Sequence, residues 1–282
     1  MAKGKPKRKN LRPPRKCMFC GGGHESGNRM SEEHVWPVWM HPYLPKLENP
    51  NTEERHITIR GARVIRNAIK KERQGQTYTR TFKGICKHCN ETWMSGIEDD
   101  VKPLMLTILE GRPHTLLKND RLRLARWMAL KTMVIEQEQP SDAVIPDQDR
   151  HEFKRSQKIP DGFRIWVFTH ETQDWYASFW HQTLMASLDP RSPPGTGKLK
   201  NIQTTTIGVG RLLMFACISR LPGFHLDLHE LRHFGRRIWP FRPDAVPWPL
   251  PVLDGGTIDR LALHINELMA SPIAVWRPFP AD

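Results

Sequence analysis

Apolar and polar positions recur with two different periods along this chain. After Asn90, apolar residues Trp93, Ile97, Val101 and Leu104 fall on one side of a helix. Pro103 is expected to kink or restart that helix, with Asp99 and Asp100 as possible caps, and Gly111-Arg112-Pro113 ends it. A second helix is expected over 119–139, with an apolar face of Leu124, Trp127, Met128, Leu130, Met133 and Val134. Beyond Pro140 the period shortens. "FRIWVFTH", "DWYASFWHQTLMAS" and "TTTIGVGRLLMFACIS" read as strands joined by Pro/Gly-rich connections such as "DPRSPPGTGK". Before Asn90, the β-branched stretch from Arg55 to Cys86 reads as short strands and hairpins. A last short helix is expected over 258–269, and there is no internal repeat.

The expected class is therefore α+β. Its units are a tail (1–16), an N-terminal module (17–112) and a helical plus β-rich domain of unassigned role (113–282). At 282 residues, with 38% hydrophobic residues and 10 tryptophans, the chain has the means to bury a core. No apolar run reaches membrane-spanning length and no apolar signal core opens the chain, so the expected location is cytoplasmic.

Charge narrows the class of partner. The 43 Lys+Arg and 30 Asp+Glu leave a net charge of +13, and residues 1–16 alone carry eight Lys/Arg and no acid. Such a tail is expected to be disordered and to suit a polyanion, because each phosphate neutralised releases condensed counterions. The competing use is plain solubility. Membrane binding is not favoured, since the tail has no apolar face to insert.

Four of the five cysteines form two C-x-x-C pairs, Cys17/Cys20 and Cys86/Cys89, separated by 65 residues. In a cytosolic chain this pattern points to one structural zinc ion on four thiolates rather than to disulfides. The competing thioredoxin-like motif needs a single pair at a helix start in a βαβ pattern. Cys217, within "RLLMFACIS", reads as a core residue.

Between the cysteine pairs lies "SEEHVWPVWM", residues 31–40, with Glu33 and His34 adjacent. The order C-x-x-C, Glu-His, strands, C-x-x-C-Asn, helix resembles the HNH nuclease superfamily in its ββα-metal form with a four-cysteine zinc knuckle. The residues that carry the resemblance are Cys17, Cys20, "EEHVWP", Cys86, Cys89 and Asn90. "CKHCNETWMSGIE" followed by "LARWMALKTMVIE" also looks like a little-characterised group of bacterial and phage HNH-type proteins.

The resemblance implies a metal-dependent endonuclease that hydrolyses phosphodiesters of nucleic acid, with DNA as the expected substrate. His34 would be the general base, a role a neutral histidine suits near pH 7. Glu33 and Asn90 would hold one catalytic Mg²⁺ or Mn²⁺, an ion that keeps waters and takes further oxygens from phosphate. Glu33 and His34 point to opposite faces of a regular strand, so both serve one site only if the strand ends or twists there. Glu32 is the alternative metal carboxylate. Asn90 could also be a helix cap, Glu98 either a neighbour of the metal or a surface ion-pair partner, and His24 either loop or a substitute zinc ligand. Arg80, Lys83 and Lys87 are the nearest candidates for gripping phosphates.

One element of the superfamily is missing. Its central Asn falls where this chain has "TRTFKGIC", with Thr81 nearest in position, so something else must hold the loop bearing His34. The alternative function is a non-catalytic, zinc-containing nucleic-acid-binding protein. A third reading rests on "HELRH", residues 229–233, which matches H-E-x-x-H of zinc metallopeptidases; its default reading is a helix with exposed histidines.

Overall fold

The computed structural model describes residues 16–23, 27, 29–46, 48, 51–60, 63–138, 140–184, 201–221, 224–263 and 275–278. For 51–60, 63–73, 224–225 and 275–278 the description is of the backbone. The basic tail, apart from Lys16, therefore lies outside the described residues, as do His24 and positions 264–269 of the expected last helix.

In chain order the N-terminal part contains β1 (Met30–His34), a 3-10 turn (Val38–Tyr43), β2 (Asn51–Arg60), β3 (Arg63–Gln74) and β4 (Thr81–Cys86). The chain then runs without a break through α1 (Lys87–Cys89), a π-turn (Asn90–Met94) and α2 (Ser95–Leu109). Strands β2 and β3 pair with each other as one long antiparallel hairpin rather than several short ones. β1 pairs antiparallel with β4, and the hairpin is the insertion between them.

The helix after the second cysteine pair thus starts at Lys87, three residues before the expected Asn90. Pro103 lies inside α2, which continues to Leu109. Proline removes the N–H that would bond the carbonyl four residues earlier, that of Asp99, and Asp99 is exposed so water can satisfy it. Asp99 and Asp100 lie within the helix and are not caps.

β5 (His114–Leu116) leads into α3 (Lys118–Ile135), followed by α4 (Asp147–Ser156). The strands that follow are β6 (Phe163–His170), β7 (Phe179–Leu184), β8 (Ile202–Val209), β9 (Leu212–Ser219), β10 (Phe224–Asp227), β11 (Gly235–Trp239), β12 (Val246–Trp248) and β13 (Val252–Leu253). Helix α5 (Gly255–Leu263) and β14 (Val275–Pro278) complete the order. A six-stranded sheet runs β11-β6-β9-β8-β7, with β13 parallel to the far end of β6. The run "TTTIGVGRLLMFACIS" is two of its strands, β8 and β9, hinged at Gly210, whose φ of +55° is a left-handed value that glycine adopts without penalty.

Both faces of this sheet are covered, which is why its strands are apolar throughout rather than alternating. Ile165 and Val167 of β6 face a core shared with α3, whereas Trp166 and Phe168 face a second core shared with α5. Cys217 lies in that second core, 1% exposed. Helix α3 is sandwiched. From Trp127 to Ile135 every residue is buried, so in this half of α3 the expected one-sided stripe is enclosed on all sides.

The first core does not stop at residue 112. It runs from Cys17 through α2 and α3 to Leu250. Trp36 follows β1, and its indole N–H donates to the carbonyl of Gly208 in β8 at 2.9 Å, while its ring lies 5.9 Å from that of Phe179 in β7. The boundary drawn at 112/113 therefore does not separate two cores, because β1, β4 and α2 have too little apolar surface of their own and share α3 with the sheet. Among the described residues no helix is long and apolar enough to cross a membrane.

Candidate metal centre and adjoining site

The two cysteine pairs meet where β4 passes into α1. The Sγ atoms of Cys17, Cys20, Cys86 and Cys89 all lie within 4.8 Å of one another, and none is in a disulfide. A Zn–S bond of ~2.3 Å in tetrahedral geometry places sulfurs ~3.8 Å apart. Cys20 Sγ and Cys86 Sγ are 3.7 Å apart. The donor set therefore fits a zinc ion: four soft ligands, converging, with Cys17, Cys86 and Cys89 buried.

Local chain geometry makes this convergence. Gly21 N–H returns to the carbonyl of Cys17, curling the first pair into a knuckle, and Met18 N–H docks it onto the carbonyl of Gly84 in β4. The second pair spans the first helical turn, where Cys86 Sγ accepts the N–H of Cys89 as an N-cap. Such crowding spreads the thiol acidities. A hydrogen bond from Cys89 pulls Cys17 down to about 4, while Cys89 is pushed well up by its contact with Cys17 and by burial, and Cys20 is pushed up by burial. A divalent cation at the centre would replace these shared protons.

Beside this centre, β1 presents its two faces differently. Glu32 is exposed, Glu33 is 5% exposed and His34 is half-buried. The strand alternates, and Glu33 points into the core. There its Oε1 accepts from Lys131 Nζ of α3 at 2.5 Å. The same ammonium donates to Glu98 Oε1 of α2 at 2.5 Å and to the main-chain carbonyl of His34 at 2.8 Å. Glu33 is thus not aimed at the solvent face that His34 occupies, and the expectation that it binds a catalytic metal is corrected. The reason is the two-residue strand period combined with a buried cation on the inner side.

Lys131 was not among the residues expected to matter. Its signal was a single charge in the middle of "WMALKTMVIE", where every neighbour is a core residue. Burial opposes its charge, but Glu33 and Glu98 outweigh that and raise its pKa. Burial raises the Glu98 pKa, with Lys131 opposing and Glu33 reinforcing the rise. Glu98 is accordingly neither a surface ion-pair partner nor a ligand beside Asn90.

Burial also lowers the His34 pKa, as do the charges of His41 and Lys131, against the opposing pull of Glu98 and Glu32. His34 is therefore neutral at pH 7. Its ring makes an edge contact with that of His41, centroids 5.7 Å apart, and His41 is fixed in turn by the carbonyl of Trp36 at 3.1 Å.

Asn90 stands in the π-turn, and its Nδ2 donates to Ser31 Oγ at 3.2 Å and to the carbonyl of Glu32 at 3.4 Å. It is not a cap, since the helix is already under way, and it ties the helix to β1 at the bulge between Ser31 and Glu32. Thr81 pairs with His34 across the strands and donates to Glu32 Oε2 at 3.0 Å.

The three basic candidates divide. Arg80 is taken up by Glu138 at 2.7 Å and is 13% exposed, so it is not offered to a phosphate. Lys83 and Lys87 are exposed, though each has a surface acid nearby, Glu32 at 2.9 Å and Glu91 at 3.4 Å. Comparison with protein families, with curated proteins and with solved structures gave no match.

"HELRH" forms a five-residue 3-10 turn, not an α-helix. With three residues per turn, positions four apart lie about 120° apart around the axis, so His229 and His233 do not share a face. His229 instead contacts Arg232 Nη1 at 3.0 Å. Among the described residues, the four cysteines are the one group of three or more Cys, His or carboxylate side chains that converge closely enough for a metal.

Proposed function

We propose that the protein is a metal-dependent nuclease of the HNH type that hydrolyses phosphodiester bonds, with DNA as its first candidate substrate. The observation that supports it best is a neutral, half-buried His34 at the end of a strand clamped from three sides. Asn90 holds the strand's backbone from the helix, Lys131 holds the His34 carbonyl from the core, and the four-cysteine centre joins the partner strand to that helix. A general base has to be neutral at working pH and held in place, and His34 meets both conditions.

In this reading His34 takes a proton from the attacking water through a ring nitrogen, and Lys131 acts through His34 as a positioning residue. The place left by the missing central Asn is filled by an ammonium reaching across from α3. A catalytic Mg²⁺ or Mn²⁺, when bound, would steady charge on the phosphoryl and leaving oxygens. Glu32 and Asn90 are the residues that would hold it, because Glu32 is on the same side of β1 as His34 and Asn90 Oδ1 accepts no hydrogen bond among the described residues. The structural zinc would keep β4 and the helix in register and take no part in the chemistry.

A second reading, a non-catalytic zinc-containing nucleic-acid-binding protein, is favoured by one observation: the Glu33 carboxylate is already engaged by Lys131. One experiment separates the two. Wild type and His34→Ala, each shown to carry one zinc, are incubated with plasmid DNA and with RNA in Mg²⁺, Mn²⁺ or EDTA. The nuclease reading expects cutting that needs both the divalent metal and His34. Folded, zinc-loaded wild type that binds but cuts neither substrate would establish the binding protein instead.

A further inference from the structure

At the β11 edge of the sheet the chain forms a cavity of a different character. It has a volume of about 240 Å³ and opens between β6, β11, the 229–233 turn and the segment before β12. Its floor is aromatic, from Trp166 and Phe168 of β6. Gly235 of β11 packs directly against the Phe168 ring, where a Cβ would come within 2.1 Å, and both rings are buried. Its walls are cationic. Arg121, Arg232, Arg236, Arg237 and Arg242 line it against two carboxylates, Asp227 and Asp244, an excess of three positive charges.

Two of these arginines, Arg121 and Arg236, are held by main-chain carbonyls. Arg121 is 3% exposed, and its Nη1 donates to the carbonyl of Arg242 at 2.8 Å, while its Nε has no hydrogen-bond partner among the described residues. Arg236 Nη1 donates to the carbonyls of Gly235 at 3.0 Å, His233 at 3.4 Å and Arg232. Arg237 Nε is likewise buried and without a partner among the described residues. Burial and the charge of Arg242 lower the Arg237 pKa, against the opposing pull of Asp227. Burial and then Arg237 bring that of the adjoining Arg164 down to about 10. An excess of guanidinium groups over carboxylates around one cavity calls for an anion.

We propose that this cavity binds the terminal phosphate of a nucleotide, free or at the end of a nucleic-acid strand. A phosphomonoester carries the charge that the excess of arginines matches, and guanidinium forks bind its oxygens two at a time. The cavity exceeds the space of a phosphate alone, whose size is nearer that of a few waters of about 30 Å³ each, which leaves room for part of the attached sugar. This inference does not rest on the nuclease reading, and it is tested by binding rather than by cutting.

The measurement is titration calorimetry in buffer without added divalent metal. The probes are 5′-dAMP and deoxyadenosine, and one oligonucleotide in 5′-phosphorylated and 5′-hydroxyl forms. The phosphorylated member of at least one pair is expected to bind more tightly than its phosphate-free partner. Arg242→Gln and Arg237→Gln are each expected to weaken it about tenfold, the scale of one charge-assisted hydrogen bond. Arg155→Gln, an exposed change on α4, is expected to leave it unaltered. Preference within the nucleotide pair alone identifies a free nucleotide as ligand, and preference within the oligonucleotide pair identifies a strand end. Arg242 is exposed, so its variant carries the test even if Arg237→Gln fails to fold. The proposal is overturned if the phosphate makes no difference in either pair, or if Arg242→Gln binds as wild type does.

Discussion

Two ionic clusters are buried in this molecule, and they are built on opposite plans. At the C-terminal end of α3, Glu136 is 1% exposed and every demand it makes is met. Its Oε1 accepts the N–H groups of Val144 and Ile145 at 2.7 and 2.9 Å, and its Oε2 accepts from Arg150 at 2.8 Å. Arg150 also reaches the exposed Asp147 at 2.7 Å. One buried carboxylate has one buried guanidinium and two backbone donors, and the cluster does nothing but hold a loop against a helix. Five residues earlier, Lys131 is a single cation shared by the buried Glu33, the half-buried Glu98 and a carbonyl. In the first cluster the buried carboxylate is fully matched, and Arg150 reaches one acid at the surface. The second has surplus negative charge, relieved by a raised Glu98 pKa, and it touches the main chain of the candidate base. Burying charge is costly in both places, and only the unbalanced cluster has a free variable, the proton on Glu98.

The comparison is broken most severely at Lys131. Lys131→Met leaves Glu33 and Glu98 facing each other in the core without a cation, and breaking a buried pair in this way costs about 3–5 kcal/mol. Urea unfolding is expected to show that loss, and any surviving fold is expected to have a displaced His34. Arg150→Met is expected to cost less, about 2 kcal/mol, because Glu136 keeps its two backbone donors. If both variants lost the same stability, the distinction drawn between the clusters would not hold.

Glu98→Gln gives the smallest and most diagnostic change. The Glu98 pKa is raised in the folded state, so its contribution to stability is full below its unfolded value of about 4.5 and is lost as pH rises through the folded value. Replacing it by Gln removes the surplus charge and is expected to flatten stability against pH above that point, with little change at acid pH. The check is a set of thermal melts of wild type and variant between pH 4 and 8. A parallel pair of curves would mean that Glu98 titrates normally. The same variant takes away a negative neighbour of His34 and is expected to lower its pKa slightly further, which histidine NMR titration would read directly.

Much of the architecture could be read from pattern. The expected helix at 119–139 is found at 118–135, and "FRIWVFTH" is β6 residue for residue. Both are long, strongly apolar segments bounded by turn residues. Boundaries failed where local chemistry competes with period: α1 begins at Lys87 because Cys86 caps it, and the helix passes Pro103 because the carbonyl left open faces water. The assignment of Glu33 failed for a different reason. Adjacent residues of a strand cannot both face one site, and which of Glu32 and Glu33 turns inward depends on a lysine 98 residues further along the chain.

The amino-acid sequence by itself determined the zinc-capable centre, since four thiols at two C-x-x-C spacings have few ways to satisfy their chemistry other than around one ion. It also determined the helices and the twice-covered strands, because apolar periodicity is a local property of consecutive residues. Only the tertiary structure decided that the two halves share a core, that Lys131 of α3 reaches the main-chain carbonyl of His34, and that five arginines from α3, the 229–233 turn and the chain after it surround one cavity. Most of those contacts join segments far apart in the chain. No spacing in the chain encodes them, and they appear only when burial forces each charged group to find whatever partner the packed elements bring within reach.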